Sequence, residues 1–72
     1  MKYFFIAGED IGYLDMGLFQ SKYTALLFVI QMCRRLRNGK QYKLVDANAK
    51  VLATVTSGAN PQHKWHRKEK KL

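Results

Sequence analysis

The chain has 72 residues, 13 of them Lys or Arg against 5 Asp or Glu, for a formal net charge of +8. That length holds one small domain and excludes an enzyme with a deep cleft and a separate cofactor domain. An apolar share of 47% excludes full disorder, and the single cysteine, Cys33, excludes an internal disulfide or a multi-cysteine zinc module.

In chain order, Tyr3-Phe4-Phe5-Ile6 is aromatic and β-branched and predicts a strand. The apolar start is cut by Gly8-Glu9-Asp10, too early for a signal-peptide core. Gly8 to Gly12 supplies turn chemistry, and residues 13–19 predict a second strand weakened by Gly17. Ser21 is a good N-cap for a helix over Lys22–Asn38. Tyr23, Leu26, Leu27, Ile30, Cys33 and Arg37 follow its i, i+3, i+4, i+7 spacing. Gly39 suits the left-handed closing position, and Arg34, Arg35 and Arg37 crowd the last turn, where positive charge complements the helix dipole. The apolar run from Ala25 to Ile30 is less than half of the roughly 20 residues a membrane span needs. No membrane span is expected, and the reading is a soluble, cytoplasmic protein.

Gln41–Asp46 and Lys50–Thr56 alternate as two further strands. Tyr42 and Leu44 share one face of the first and Lys43 and Val45 the other, while Val51, Ala53 and Val55 oppose Leu52, Thr54 and Thr56 in the second. Asp46-Ala47-Asn48-Ala49 joins them, with Asn48 the residue suited to positive φ. The expected fold class is α+β: a small antiparallel sheet in the order β-β-α-β-β with one helix packed on a face, over residues 1–57. Residues 58–72 form a basic C-terminal tail, and Asn60 as N-cap with Pro61 behind it predicts a short helix there. Residues 62–72 carry Lys64, Arg67, Lys68, Lys70 and Lys71 against Glu69, half of the excess charge.

Motifs for catalysis are missing: there is no H-E-x-x-H, no G-x-x-x-x-G-K-[ST] and no G-x-G-x-x-G. Cys33 lies in an apolar stretch, where a free thiol packs as a small hydrophobe. His63 and His66 would share a side only of a helix, and Glu9, Asp10 and Asp15 lack a calcium-loop ligand series. The expectation is a non-enzymatic binding protein with no cofactor, no metal and no small-molecule substrate.

The charge instead indicates nucleic acid, DNA or RNA, or a nucleic-acid-handling complex. Arg34, Arg35, Arg37, Lys40, Lys43, Lys64, Arg67, Lys68, Lys70 and Lys71 are the expected phosphate contacts, with Trp65 stacking on a base. The alternative is a protein–protein module. Leu26-Leu27-Phe28-Val29-Ile30 is apolar around the whole helix circumference, and the first strand is apolar on both faces. Tyr3, Phe5, Phe28 and Val29 are then the expected contacts of a protein partner or homodimer, and Tyr3, Phe5 and Tyr42 an aromatic sheet face able to stack bases.

The succession of aromatic strand, Phe19-x-Ser-Lys cap, helix and hairpin around Val45-Asp-Ala-Asn-Ala-Lys-Val-Leu resembles small bacterial and phage accessory domains. Compact α+β phage inhibitors of host complexes are among them. The likeness is architectural, covers most of residues 1–57, and transfers no functional residue.

Overall fold

The structure, a computed structural model, describes residues 1–66. Strands β1 (Lys2–Gly8) and β2 (Gly12–Phe19) form a hairpin, helix α1 spans Lys22–Leu36, and β3 (Gln41–Asp46), β4 (Val51–Thr56) and β5 (Gln62–Trp65) follow. All five strands pair antiparallel in one sheet, in the order β2-β1-β3-β4-β5, with the helix against one face. The α+β architecture is the expected one, enlarged by a strand.

That fifth strand replaces the short helix expected after Pro61. Gln62-His63-Lys64-Trp65 has no apolar stripe to support a helix, whereas the open edge of β4 offers unpaired backbone groups. β5 pairs Thr56 with Gln62 through Ala53 with Trp65, and His66 N–H donates to the Leu52 carbonyl at 2.8 Å. The sheet therefore continues past residue 57, ending on a polar edge strand.

Helix α1 starts where Ser21 predicts. Ser21 Oγ accepts from Thr24 N–H at 3.4 Å, and Thr24 Oγ1 accepts from Ser21 N–H at 3.3 Å, a reciprocal capping box. Its end differs: the helix stops at Leu36, and Arg37, not Gly39, takes the left-handed cap at φ 47°, donating N–H to the Cys33 carbonyl at 3.2 Å. Arg37 Nε also donates to the Arg34 carbonyl, a side-chain bond that helps hold the cap.

The helix face also differs from the spacing reading. Ala25, Leu26, Val29 and Cys33 are buried, while Tyr23, Leu27 and Arg37 are exposed. A continuous apolar run leaves the rotation open, and volume decides it. The small side chains Ala25, Val29 and Cys33, at i, i+4 and i+8, let the backbone approach a sheet face already filled by Phe4, Ile6, Tyr42 and Leu44. Val29 is thus a core residue, which removes it from the expected partner contacts. The core is completed by Ala53 and Val55.

Two bulges set the strand faces. Met16 is the extra residue between the pairs Phe4–Gly17 and Phe5–Asp15, and Leu52 between Leu44–Ala53 and Val45–Val51. At the first, Gly17 takes φ +92° and its N–H donates to Asp15 Oδ1 at 2.7 Å. At the second, the grouping of Val51 with Ala53 and Val55 fails: Leu52 packs against the core and Val51 pairs with Val45.

The β3–β4 turn holds a conformational mismatch. Asp46 Oδ1 accepts from Asn48 N–H and Lys50 N–H, both at 2.9 Å, and this geometry puts the positive φ of 64° on Ala49 instead of Asn48. A left-handed alanine costs about 1 kcal/mol that glycine does not. Ala49→Gly is expected to stabilise the protein by a little under that amount, raising the melting temperature by about 4 °C; a thermal melt checks it.

Candidate nucleic-acid interface

Side chains alternate across the sheet, so the face opposite the helix can be read from the pairings. Phe4 and Ile6 point to the core, which turns Tyr3, Phe5 and Ala7 to the other side. Ala7 pairs with Tyr13 on β2 and Lys43 on β3; Lys43 pairs with Thr54 on β4, and Thr54 with Lys64 on β5. One transverse row thus runs Tyr13, Ala7, Lys43, Thr54, Lys64. The next row sets Asp15, Phe5 and Val45 side by side. Among the described residues no helix or further strand lies over this face, within which Val45 is nevertheless fully buried.

The face has two halves. Over β2 and β1 it is aromatic: Tyr3 (46% exposed) and Phe5 have near-parallel rings with centroids 6.4 Å apart, and Tyr13 is 63% exposed. Over β3 to β5 it is polar and cationic, with Lys43, Lys64 and a 2.7 Å hydrogen bond between Thr54 Oγ1 and His66 Nε2. Lys43 and Lys64 stand two strands apart, about 10 Å. A cleft of about 560 Å³ opens where the β1–β2 turn meets the start of β3, and Tyr13, Lys40, Gln41 and Lys43 contribute to its lining with Glu9.

Other expected contacts lie elsewhere. Trp65 follows Lys64 on the strand and so points to the helix side, where its ring meets Tyr23 edge-on at 5.3 Å with Lys22 Nζ 5.3 Å from its centroid. A cation lies over its ring, and it stands on the opposite side of the sheet from Lys64. Arg34, Arg35 and Arg37 are exposed at the C-terminal end of α1, in the helix layer. Arg67, Lys68, Lys70 and Lys71 lie outside the described residues. Phe28 is 52% exposed on the helix and packs against Phe19 with centroids 5.7 Å apart.

Tyr42 is fully buried on the core side and is no part of an aromatic sheet surface. Its hydroxyl accepts from Asn38 Nδ2 and donates to Asp10 Oδ2, both at 2.9 Å. The Asn38 bond pulls its pKa down, but burial together with the bond and charge of Asp10 outweighs this and raises it. Asp10 is thereby committed to Tyr42 and Asp15 to Gly17, and on a strand the spacing of His63 and His66 no longer brings them to one side. Among the described residues no group of three or more His, Cys, Asp or Glu is placed to hold a metal ion.

Cys33 is a structural anchor. Its carbonyl accepts from Ser57 Oγ at 2.7 Å and Gly58 N–H at 3.3 Å, tying the helix end to the end of β4. Burial pushes its thiol up to about 11 from an ordinary 9.0. Between those values the folded chain keeps a proton that the unfolded chain has released, so stability is intact below pH 9 and falls as pH rises toward 11. The urea midpoint is expected to drop across that window, less so in Cys33→Ala, and the native thiol to resist alkylation until the protein is denatured.

Comparison with protein-family models, curated proteins and solved structures gives no match. No helix among the described residues is long and apolar enough to cross a membrane.

Proposed function

We propose that this protein is a non-enzymatic nucleic-acid-binding protein that engages its ligand with the uncovered face of the sheet. The observation that supports this reading is the transverse row carrying Lys43 and Lys64 beside the exposed rings of Tyr3 and Tyr13 and the half-buried ring of Phe5. Cations neutralise phosphates and release counterions, and rings supply stacking. The net charge of +8 adds long-range attraction. Lys40, at the cleft, extends the cationic half toward the sheet end.

Titration of labelled mixed-sequence oligonucleotides by fluorescence anisotropy tests the reading. With about three phosphate contacts, at Lys40, Lys43 and Lys64, affinity should fall roughly 20- to 40-fold between 50 and 200 mM salt. No binding at 50 mM, or an affinity indifferent to salt, contradicts it. A truncation that tests the tail belongs after His66, because one at Pro61 also removes β5.

A second reading, protein–protein contact or a homodimer, is favoured by the outer side of α1, where Tyr23, Leu27 and Phe28 are 61%, 59% and 52% exposed. Sedimentation equilibrium of the wild type and Leu27→Asp separates it: concentration-dependent mass lost in the variant supports a homodimer, and a strict monomer removes it.

A further inference from the structure

We infer that the nucleic acid accepted by this face is an unpaired strand lying along β1 and β3, its bases turned onto the β1–β2 half and its phosphates over the β3–β5 half. The inference rests on the nucleic-acid reading above and adds the form and orientation of the ligand.

Three observations carry it. The first is width. Five strands at about 4.8 Å spacing make a face about 19 Å across, too broad for a duplex major groove of about 12 Å. Laid against a duplex, this face meets only backbone, and the rings of Tyr3, Phe5 and Tyr13 have no base to stack on. An unpaired strand can splay its bases onto such rings.

The second is the division of charge. Asp15 pairs with Phe5 on the aromatic half, while Lys43 and Lys64 occupy the other half. Phosphate is repelled from β2 and drawn toward β3 and β5, which fixes the side on which each nucleotide places its backbone.

The third is spacing. Phe5 pairs with Val45, so Lys43 stands on the diagonal from Phe5, about 7–8 Å away. That is the order of the reach from base to phosphate within one nucleotide. A base on Phe5 therefore leaves its phosphate near Lys43.

The test compares four ligands by anisotropy or competition at 50 mM salt: a mixed-sequence single strand as DNA and as RNA, the duplex of the same sequence, and inorganic polyphosphate, which has charge without bases. A single strand, in either sugar form, should bind at least about 10-fold tighter than the duplex. Y3A/Y13A should weaken single-strand binding by about 10-fold or more while leaving duplex and polyphosphate binding unchanged. Both tyrosines are exposed, and unchanged far-ultraviolet circular dichroism verifies the fold of the variant. Duplex binding equal to or tighter than single-strand binding, or a Y3A/Y13A variant that binds the strand as well as wild type, overturns the inference while leaving nucleic-acid binding in place. Failure of every polynucleotide to bind overturns both.

Discussion

The double reversal K43E/K64E is expected to weaken oligonucleotide binding by about 10- to 100-fold and to reduce the salt slope by about 2. Both side chains stand on the uncovered face, joined through Thr54 in one transverse row, so both changes strike the same surface. The matched comparison is R34E/R35E. It alters net charge by the same amount, but on the last turn of α1, in the layer behind the sheet. If only total charge mattered, the two variants would weaken binding equally. Placement on the face requires R34E/R35E to cost about threefold or less, the share left to screened long-range attraction. That pair also sets acids against the negative end of the helix dipole, at a cost of a few tenths of a kcal/mol per residue, so its stability is measured alongside.

Gly8→Ala is expected to destabilise the fold by about 1–3 kcal/mol, lowering the melting temperature by roughly 5–15 °C. A β-carbon at Gly8 meets Tyr42 Cδ2 at 2.7 Å, Tyr42 Cε2 at 2.9 Å and Ile11 Cγ1 at 3.2 Å. The ring cannot yield cheaply. It is fully buried, and its hydroxyl is held between Asn38 and Asp10, so a shift breaks a hydrogen bond at each. The same contact explains why β1 ends in glycine: the side chain missing from Gly8 is the space Tyr42 fills from the neighbouring strand. Thermal and urea unfolding measure the effect, and a variant as stable as wild type contradicts this packing.

The local signals that specify structure in the sequence were the ones tied to single residues. Ser21 marks the helix start because its hydroxyl has a defined amide to satisfy, and the alternation Tyr42, Leu44 against Lys43, Val45 survives because the extra residue of the adjoining bulge, Leu52, sits on β4 and leaves β3 in continuous register with β1. What was illegible depended on partners distant in sequence. Five consecutive apolar residues, Leu26 to Ile30, carry no preferred rotation, and the choice of Ala25, Val29 and Cys33 for the core reflects the bulk of Phe4, Tyr42 and Leu44 across the interface. β5 was hidden because Gln62-His63-Lys64-Trp65 lacks strand-forming patterning, and backbone pairing with β4 supplies its order.

The candidate site followed the same division. Lys43 and Lys64 were evident as charges, but their union on one face depends on registers across three strands. Trp65 was the most prominent aromatic in the basic tail and lies on the opposite face because strand geometry separates it from its neighbour Lys64. Tyr13 carries no local signal of its own, because the hairpin register is not legible in Gly8 to Gly12. The turn that pairs Gly8 with Gly12 is what sets it opposite Ala7, in the row with Lys43.

Amide chemical-shift mapping by NMR, with an unlabelled single-stranded oligonucleotide added to isotope-labelled protein at low salt, tests placement on the sheet most directly. The largest shifts are expected at Tyr3, Phe5, Ala7, Tyr13, Lys43, Thr54 and Lys64, with Leu27, Phe28 and Gln31 unmoved. Shifts concentrated on the outer side of α1, or none at saturating strand, would contradict it.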